Sequence, residues 1–174
     1  MLKRKNATIT IKRQEVIKKI ESLAYKRVES SLSDATPETQ SAVQADSAEG
    51  MDSTILYSLL NSRDTEIRSK LLYCLVADND NLSVSNSSSN VSEYVYNLEV
   101  PEEFTRDQLL AACGLINDYF IYATLHDWYI QHGVSTTVDP TWLDSLLRKI
   151  AGAFRFETLR KPLQPFGVVE PNWI

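Results

Sequence analysis

The chain has 174 residues, 43% of them hydrophobic, two cysteines and a formal net charge of -5. That is enough chain to bury a core of its own, so no disulfide framework or structural metal is required. No run approaches the roughly 18 uninterrupted apolar residues of a membrane span. The start, MLKRKNATITIKR, has a basic end without the apolar core of a secretory signal, and a soluble protein of a reducing compartment is expected. The net charge hides an asymmetry: residues 1–27 sum to +7, residues 28–147 to -15 and residues 148–174 to +3. An acidic body with basic ends points to ends that meet something negative, either nucleic acid or the acidic body of a neighbouring copy.

In chain order, residues 7–11 (ATITI) alternate and are β-prone, which predicts a short strand or ordered arm. From Lys12 the period becomes helical: Val16, Ile20 and Leu23 fall on one line with Ile17, Ala24 and Val28 beside it, an amphipathic helix to about Leu32. Its polar face carries Lys18, Lys19, Lys26 and Arg27. Residues 33–51 contain Pro37, Gly50 and few large apolar groups, and read as a long loop or linker. Helical spacing returns with Ile55, Leu56, Leu59 and Leu60, then Ile67, Leu71, Leu72 and Leu75. Ser62 or Asp64 between the two groups is a possible cap, which favours two helices joined by a tight bend within residues 53–77 over one continuous helix.

A serine and asparagine tract, residues 79–92, is too polar to pack and predicts a surface loop. Residues 93–100 then alternate, with Tyr94, Tyr96, Leu98 and Val100 on one side, the clearest strand in the chain. A lone strand needs a partner, which ATITI, the serine tract or another subunit would supply. Residues 105–133 form the longest apolar helix, with Leu109, Ala112, Cys113, Ile116, Phe120 and Ala123 on one stripe and tyrosines and leucines over much of the rest. Thr105 and Gln108 have capping-box spacing, and His132 before Gly133 suits a last turn. Burying about eight large side chains at roughly 1.5–3 kcal/mol each contributes on the order of 10–20 kcal/mol before chain entropy, so the other segments are expected to wrap this helix. Asp139 followed by Pro140 opens a final helix as cap and first turn, with Trp142, Leu143, Leu146, Leu147, Ile150 and Phe154 on its apolar face.

The predicted fold is mainly α: four to five helices bundled around a central apolar helix, with a small β element and extended terminal arms. Residues 1–11 are the N-terminal arm, 12–161 the helical domain and 162–174 an extended, proline-rich tail. Phe166, Val168, Val169, Trp173 and Ile174 in that tail are poor choices for a dangling terminus and are expected to dock, on this domain or on a neighbour. With the basic residues Lys3, Arg4, Lys5, Lys12, Arg13, Arg155, Arg160 and Lys161 they are the candidate partner-binding groups.

The pattern offers little chemistry. The five glycines stand in no phosphate-binding spacing, and no serine lies in a nucleophile elbow. His126 and His132, six apart, are poorly placed to share a metal. Cys74 and Cys113 read as reduced, buried thiols. Asp118 and Asp127 are more simply explained by pairing with Arg or Lys of a neighbouring helix, or by facing solvent, than by a carboxylate site. No catalytic, cofactor or metal site is expected.

The second half resembles small structural proteins of tailed bacteriophages and their prophages. The resemblance rests on the order of the strand Y-x-Y-x-L-x-V-P, an apolar helix closing on Leu125, Asp127 and Trp128, a helix with LLRKIAGAF, and the basic proline run RKPLQPF. It covers about residues 94–166, with an echo in ATITIKRQEVI. It implies a virion component of the head-to-tail connector, of the adaptor or completion type, which assembles with copies of itself, with the portal and with neck or tail proteins, in passing contact with DNA. The long segment 33–51 departs from that pattern. The alternative is a nucleic-acid-binding regulator that uses the basic first helix.

Overall fold

The computed structural model describes residues 3–32, 53–76, 92–131 and 138–155, with the backbone alone for residue 53 and residues 25–32. Within these residues the chain is mostly helical, with four helices and one two-stranded antiparallel sheet. The elements are β1 (Arg4–Lys12), α1 (Arg13–Leu32), α2 (Ser53–Leu71), β2 (Glu93–Pro101), α3 (Arg106–Gln131) and α4 (Pro140–Ala153).

The strand predicted from alternation, β2, pairs with ATITI, which settles the choice of partner. The register sets Ile9 opposite Tyr96 and Arg4 opposite Pro101. Ile9 and Ile11 of β1 and Tyr94, Tyr96, Leu98 and Val100 of β2 are buried, whereas Thr8, Thr10 and Glu99 on the other face are exposed. The ring of Tyr94 stacks on Phe120 of α3 at 4.8 Å between centroids, joining the sheet's inner face to that helix. Of the two readings of ATITI, a short strand or an ordered arm, the strand holds: from Arg4 onward the segment is half of the sheet, held by the burial of its isoleucines.

A correction concerns the stretch read as two helices joined by a bend: one continuous helix, α2 (Ser53–Leu71), stands in their place. The expected cap residue, Asp64, turns inward instead. Its carboxylate accepts from the Tyr96 hydroxyl at 2.7 Å and from Arg68 Nε at 2.8 Å, so helix continuity is compatible with a satisfied buried aspartate. The helix also stops earlier than its apolar spacing suggests. Leu75 leaves it to bridge Leu98 on the outer side of β2, with Val76 N donating to Asn97 O and Glu99 N to Cys74 O.

The starts of α3 and α4 follow their sequence signals. Thr105 and Gln108 exchange the two hydrogen bonds of a capping box at the start of α3. Asp139 accepts from Thr141 N at 2.8 Å, with Pro140 in the first turn of α4. The expected last turn at His132 and Gly133 lies outside the described residues. Helix α3 buries ten side chains and touches α1, α2, α4 and β1. On α4, Leu146 and Ile150 are buried and Phe154 stacks on Phe104 at 5.6 Å. Trp142, expected on the same face, stays 41% exposed, edge-on to Tyr122.

Candidate interaction surfaces

The basic residues at the beginning of the chain lie along the sheet. Lys3, Arg4, Lys5 and Lys12 are exposed, and two of them already have partners: Arg4 with Glu99 at 2.9 Å and Lys12 with Glu15 at 3.3 Å. Arg13 is the exception. Expected with them on the surface, it continues the inward alternation of Ile9 and Ile11 and is only 2% exposed, its guanidinium 3.6 Å over the Tyr57 ring. From there Arg13 ties the start of α1 to α2 and does not reach a partner surface.

Arg155, at the end of α4, is exposed and lies over the ring of Tyr73, whose hydroxyl donates to Ala151 O at 2.7 Å. Next to it Phe154 stacks on Phe104, whose amide donates to Pro101 O, and Pro101 is paired with Arg4. Glu102 N donates to Lys3 O at the same place. Arg155, far away in sequence, is thus linked through Phe154, Phe104 and Pro101 to the Lys3 and Arg4 end of the sheet. Glu99, Glu102 and Glu103 are exposed there too, so that end carries both signs of charge. Arg160, Lys161, Phe166, Val168, Val169, Trp173 and Ile174 lie outside the described residues.

Between α1 and α3 runs an open groove of about 350 Å³, lined by Lys18, Lys19, Ser22 and Leu23 on one side and Asp118, Ile121 and Tyr122 on the other. Its lysines face an aspartate, and Glu15 and Glu21 are also exposed on the same helix, so α1 presents no unbroken basic stripe among its described side chains. A second open depression, about 440 Å³, follows Pro140, Thr141, Asp144, Ser145 and Arg148 on α4. Both lie open to solvent, unlike the enclosed clefts of small-molecule sites.

The richest polar cluster joins α2 to α3. Arg63 donates to both Glu66 oxygens at 2.8 Å and also pairs with Asp127; Tyr119 donates to Glu66; His126 Nδ1 lies 3.0 Å from Asp127 Oδ1. Burial alone would lower the Arg63 pKa, but the Glu66 and Asp127 carboxylates outweigh it and hold the guanidinium charged. Burial, reinforced by the Glu66 carboxylate that accepts its proton, pushes the Tyr119 hydroxyl up to about 12. The two carboxylates read in the sequence separate accordingly: Asp127 pairs with an arginine of the neighbouring helix and Asp118 is exposed. Arg63 and Glu66 escaped the sequence reading, although their i,i+3 spacing on a helix was visible. The cluster holds opposite charges in mutual contact, which suits the fastening of two helices.

Cys74 is a free, buried thiol, pushed up to about 11 by burial, and half-buried Cys113 is raised by burial as well; both are poor nucleophiles. Among the described residues no three His, Cys, Asp or Glu side chains come together to hold a metal, and no helix is long and apolar enough to cross a membrane. Comparison of the chain with protein-family models, with curated proteins and with solved structures finds no match.

Proposed function

We propose that this chain is a structural protein of a tailed-phage virion, part of the head-to-tail connector ring, and that it acts by assembly and not by catalysis. In this reading the helices form a bundle around α3, which is the wedge of the ring. Copies of the chain pack side by side on the portal, and neck or tail proteins bind below. Because Arg4–Lys12 is bound into the sheet, clasping falls to the C-terminal tail. The basic residues around Lys3 and Arg155 meet acidic neighbouring surfaces or passing DNA. The acidic body keeps exiting DNA from adhering to the lumen.

One observation carries the reading. Among the described residues 28 buried apolar side chains, from Ile9 to Phe154, form a contiguous core. Beyond these residues the sequence adds Phe166, Val168, Val169, Trp173 and Ile174, and apolar groups on a chain end gain stability only by docking. The arrangement over residues 94–166 that resembles connector and completion proteins supports the same conclusion.

The competing reading is a DNA-binding regulator using α1. It calls for a small defined oligomer whose DNA affinity falls steeply with salt. Light scattering on the protein alone and with the portal separates the two: the connector reading expects a monomer or a ring of many copies, and weak DNA binding.

A further inference from the structure

Among the described residues the sheet has one covered edge and one open edge. In an antiparallel pair, residues opposite each other alternate between those that exchange backbone hydrogen bonds and those that turn theirs away. Arg13 N donates to Ser92 O and Glu102 N to Lys3 O, so within this register the odd-numbered residues of β1 bond to β2. Arg4, Asn6, Thr8, Thr10 and Lys12 therefore turn their N–H and C=O groups outward. The corresponding outward groups of β2 are largely engaged. Asn97 O accepts from Val76 N at 2.9 Å, Glu99 N donates to Cys74 O at 2.7 Å, and Val95 O accepts from Arg68 Nη2 at 3.1 Å. Among the described residues no strand or loop bonds the outward groups of Arg4, Asn6, Thr8 and Thr10, while the Lys12 carbonyl serves the first turn of α1.

An open edge whose middle, Asn6 to Thr10, is uncharged and ends in the β-prone run Thr8 to Thr10 is a site for strand addition that folded proteins ordinarily cover. A second copy of β1 is a poor cover, because full-length antiparallel pairing sets Arg4 of one copy against Lys12 of the other. The C-terminal tail suits the edge better. It departs after Phe154, which is tied through Phe104 and Pro101 to the Arg4 end of β1. Ten residues, 156–165, span up to about 35 Å when extended, and the strand is about 30 Å long, so the segment beyond them reaches the edge of the same or an adjacent copy. That segment is FGVVE, residues 166–170, a proline-free run between Pro165 and Pro171. It has adjacent β-branched residues and an acidic end, Glu170, to set against the basic ends of β1.

We propose that residues 166–170 of the C-terminal tail add to the outer edge of β1 as a third strand. This rests on the docking tail of the connector reading and names what the tail docks on. The test is backbone amide exchange on the full-length protein, read by NMR at low and high concentration, with no portal present. Thr8 and Thr10 are the reporters, and Ile9 and Ile11, bonded to β2, are the internal control. Thr8 and Thr10 are expected to exchange on the order of 100-fold more slowly than an unstructured chain, in the monomer or in whatever assembly forms. A Val168→Pro/Val169→Pro variant is expected to abolish that protection and leave Ile9 and Ile11 unchanged. Thr10→Pro, which removes an outward N–H that the β1–β2 ladder does not use, is expected to release Thr8 in the same way. Free exchange of Thr8 and Thr10 in the wild type at both concentrations overturns the proposal, as does protection that survives the double proline variant. A protected edge together with no ring on the portal overturns the connector reading and leaves the third strand standing.

Discussion

Asp64→Ala tests the buried cluster that α2 shares with β2. Asp64 is 2% exposed, and its two oxygens accept from the Tyr96 hydroxyl at 2.7 Å and Arg68 Nε at 2.8 Å. Removing the carboxylate leaves the fully buried Tyr96 hydroxyl without an acceptor and the Arg68 charge without its counter-ion. Breaking a buried pair in this way costs about 3–5 kcal/mol. Arg68 keeps a bond to Val95 O and its place 4.9 Å from the Tyr96 ring, which puts the expected loss near the lower bound, about 3 kcal/mol. In urea, with a slope of about 2 kcal/mol/M, the unfolding midpoint falls by about 1.5 M. Tyr96→Phe removes one bond to a charged acceptor and costs about 1.5–3 kcal/mol. The two effects should be less than additive, because they share that bond. A loss below about 1 kcal/mol for Asp64→Ala, the size of a surface cap, refutes the reasoning.

Phe120→Ala, at a fully buried site beneath Tyr94, is expected to lower stability by about 3–5 kcal/mol in the same denaturation assay. Tyr73, Tyr94 and Tyr119 are each pushed up to about 12, chiefly by burial, so ultraviolet titration should show them ionising late. Because their folded pKa values lie above the unfolded value near 10, the stability they contribute is complete below about pH 10 and is lost as pH rises toward 12. Asp139 is shifted the other way, held low by its bonds to Thr141. Its contribution is present above the ordinary carboxylate range and disappears as pH falls through its lowered value, which a carboxyl-detected NMR titration reads directly. Cys74, pushed up to about 11, should react with a disulfide reagent far more slowly than a free exposed thiol at neutral pH, and unfolding should remove the difference.

Local signals were legible in the sequence and distant ones were not. Thr105 with Gln108, and Asp139 with Pro140, act within one turn, and both caps form where their spacing sets them. The alternation of Tyr94, Tyr96, Leu98 and Val100 needs only one buried face to become a strand, and ATITI supplies the partner. The division of α2 failed because Asp64 is a cap by type, whereas its partner Tyr96 stands 32 residues away. Arg13 failed for a similar reason: charge and chain position put it outside, and the ring of Tyr57 holds it inside. The link from Arg155 to the Lys3 and Arg4 end of the sheet depends on the Phe104–Phe154 contact, which no periodicity encodes.

Assembly is the central claim, and particle mass measures it directly. Light scattering of the protein with the portal, at physiological salt, should give a complex carrying a ring of many copies, while the protein alone is a monomer or a ring and binds DNA weakly. A fixed dimer that ignores the portal and binds DNA with an affinity falling steeply with salt would contradict it.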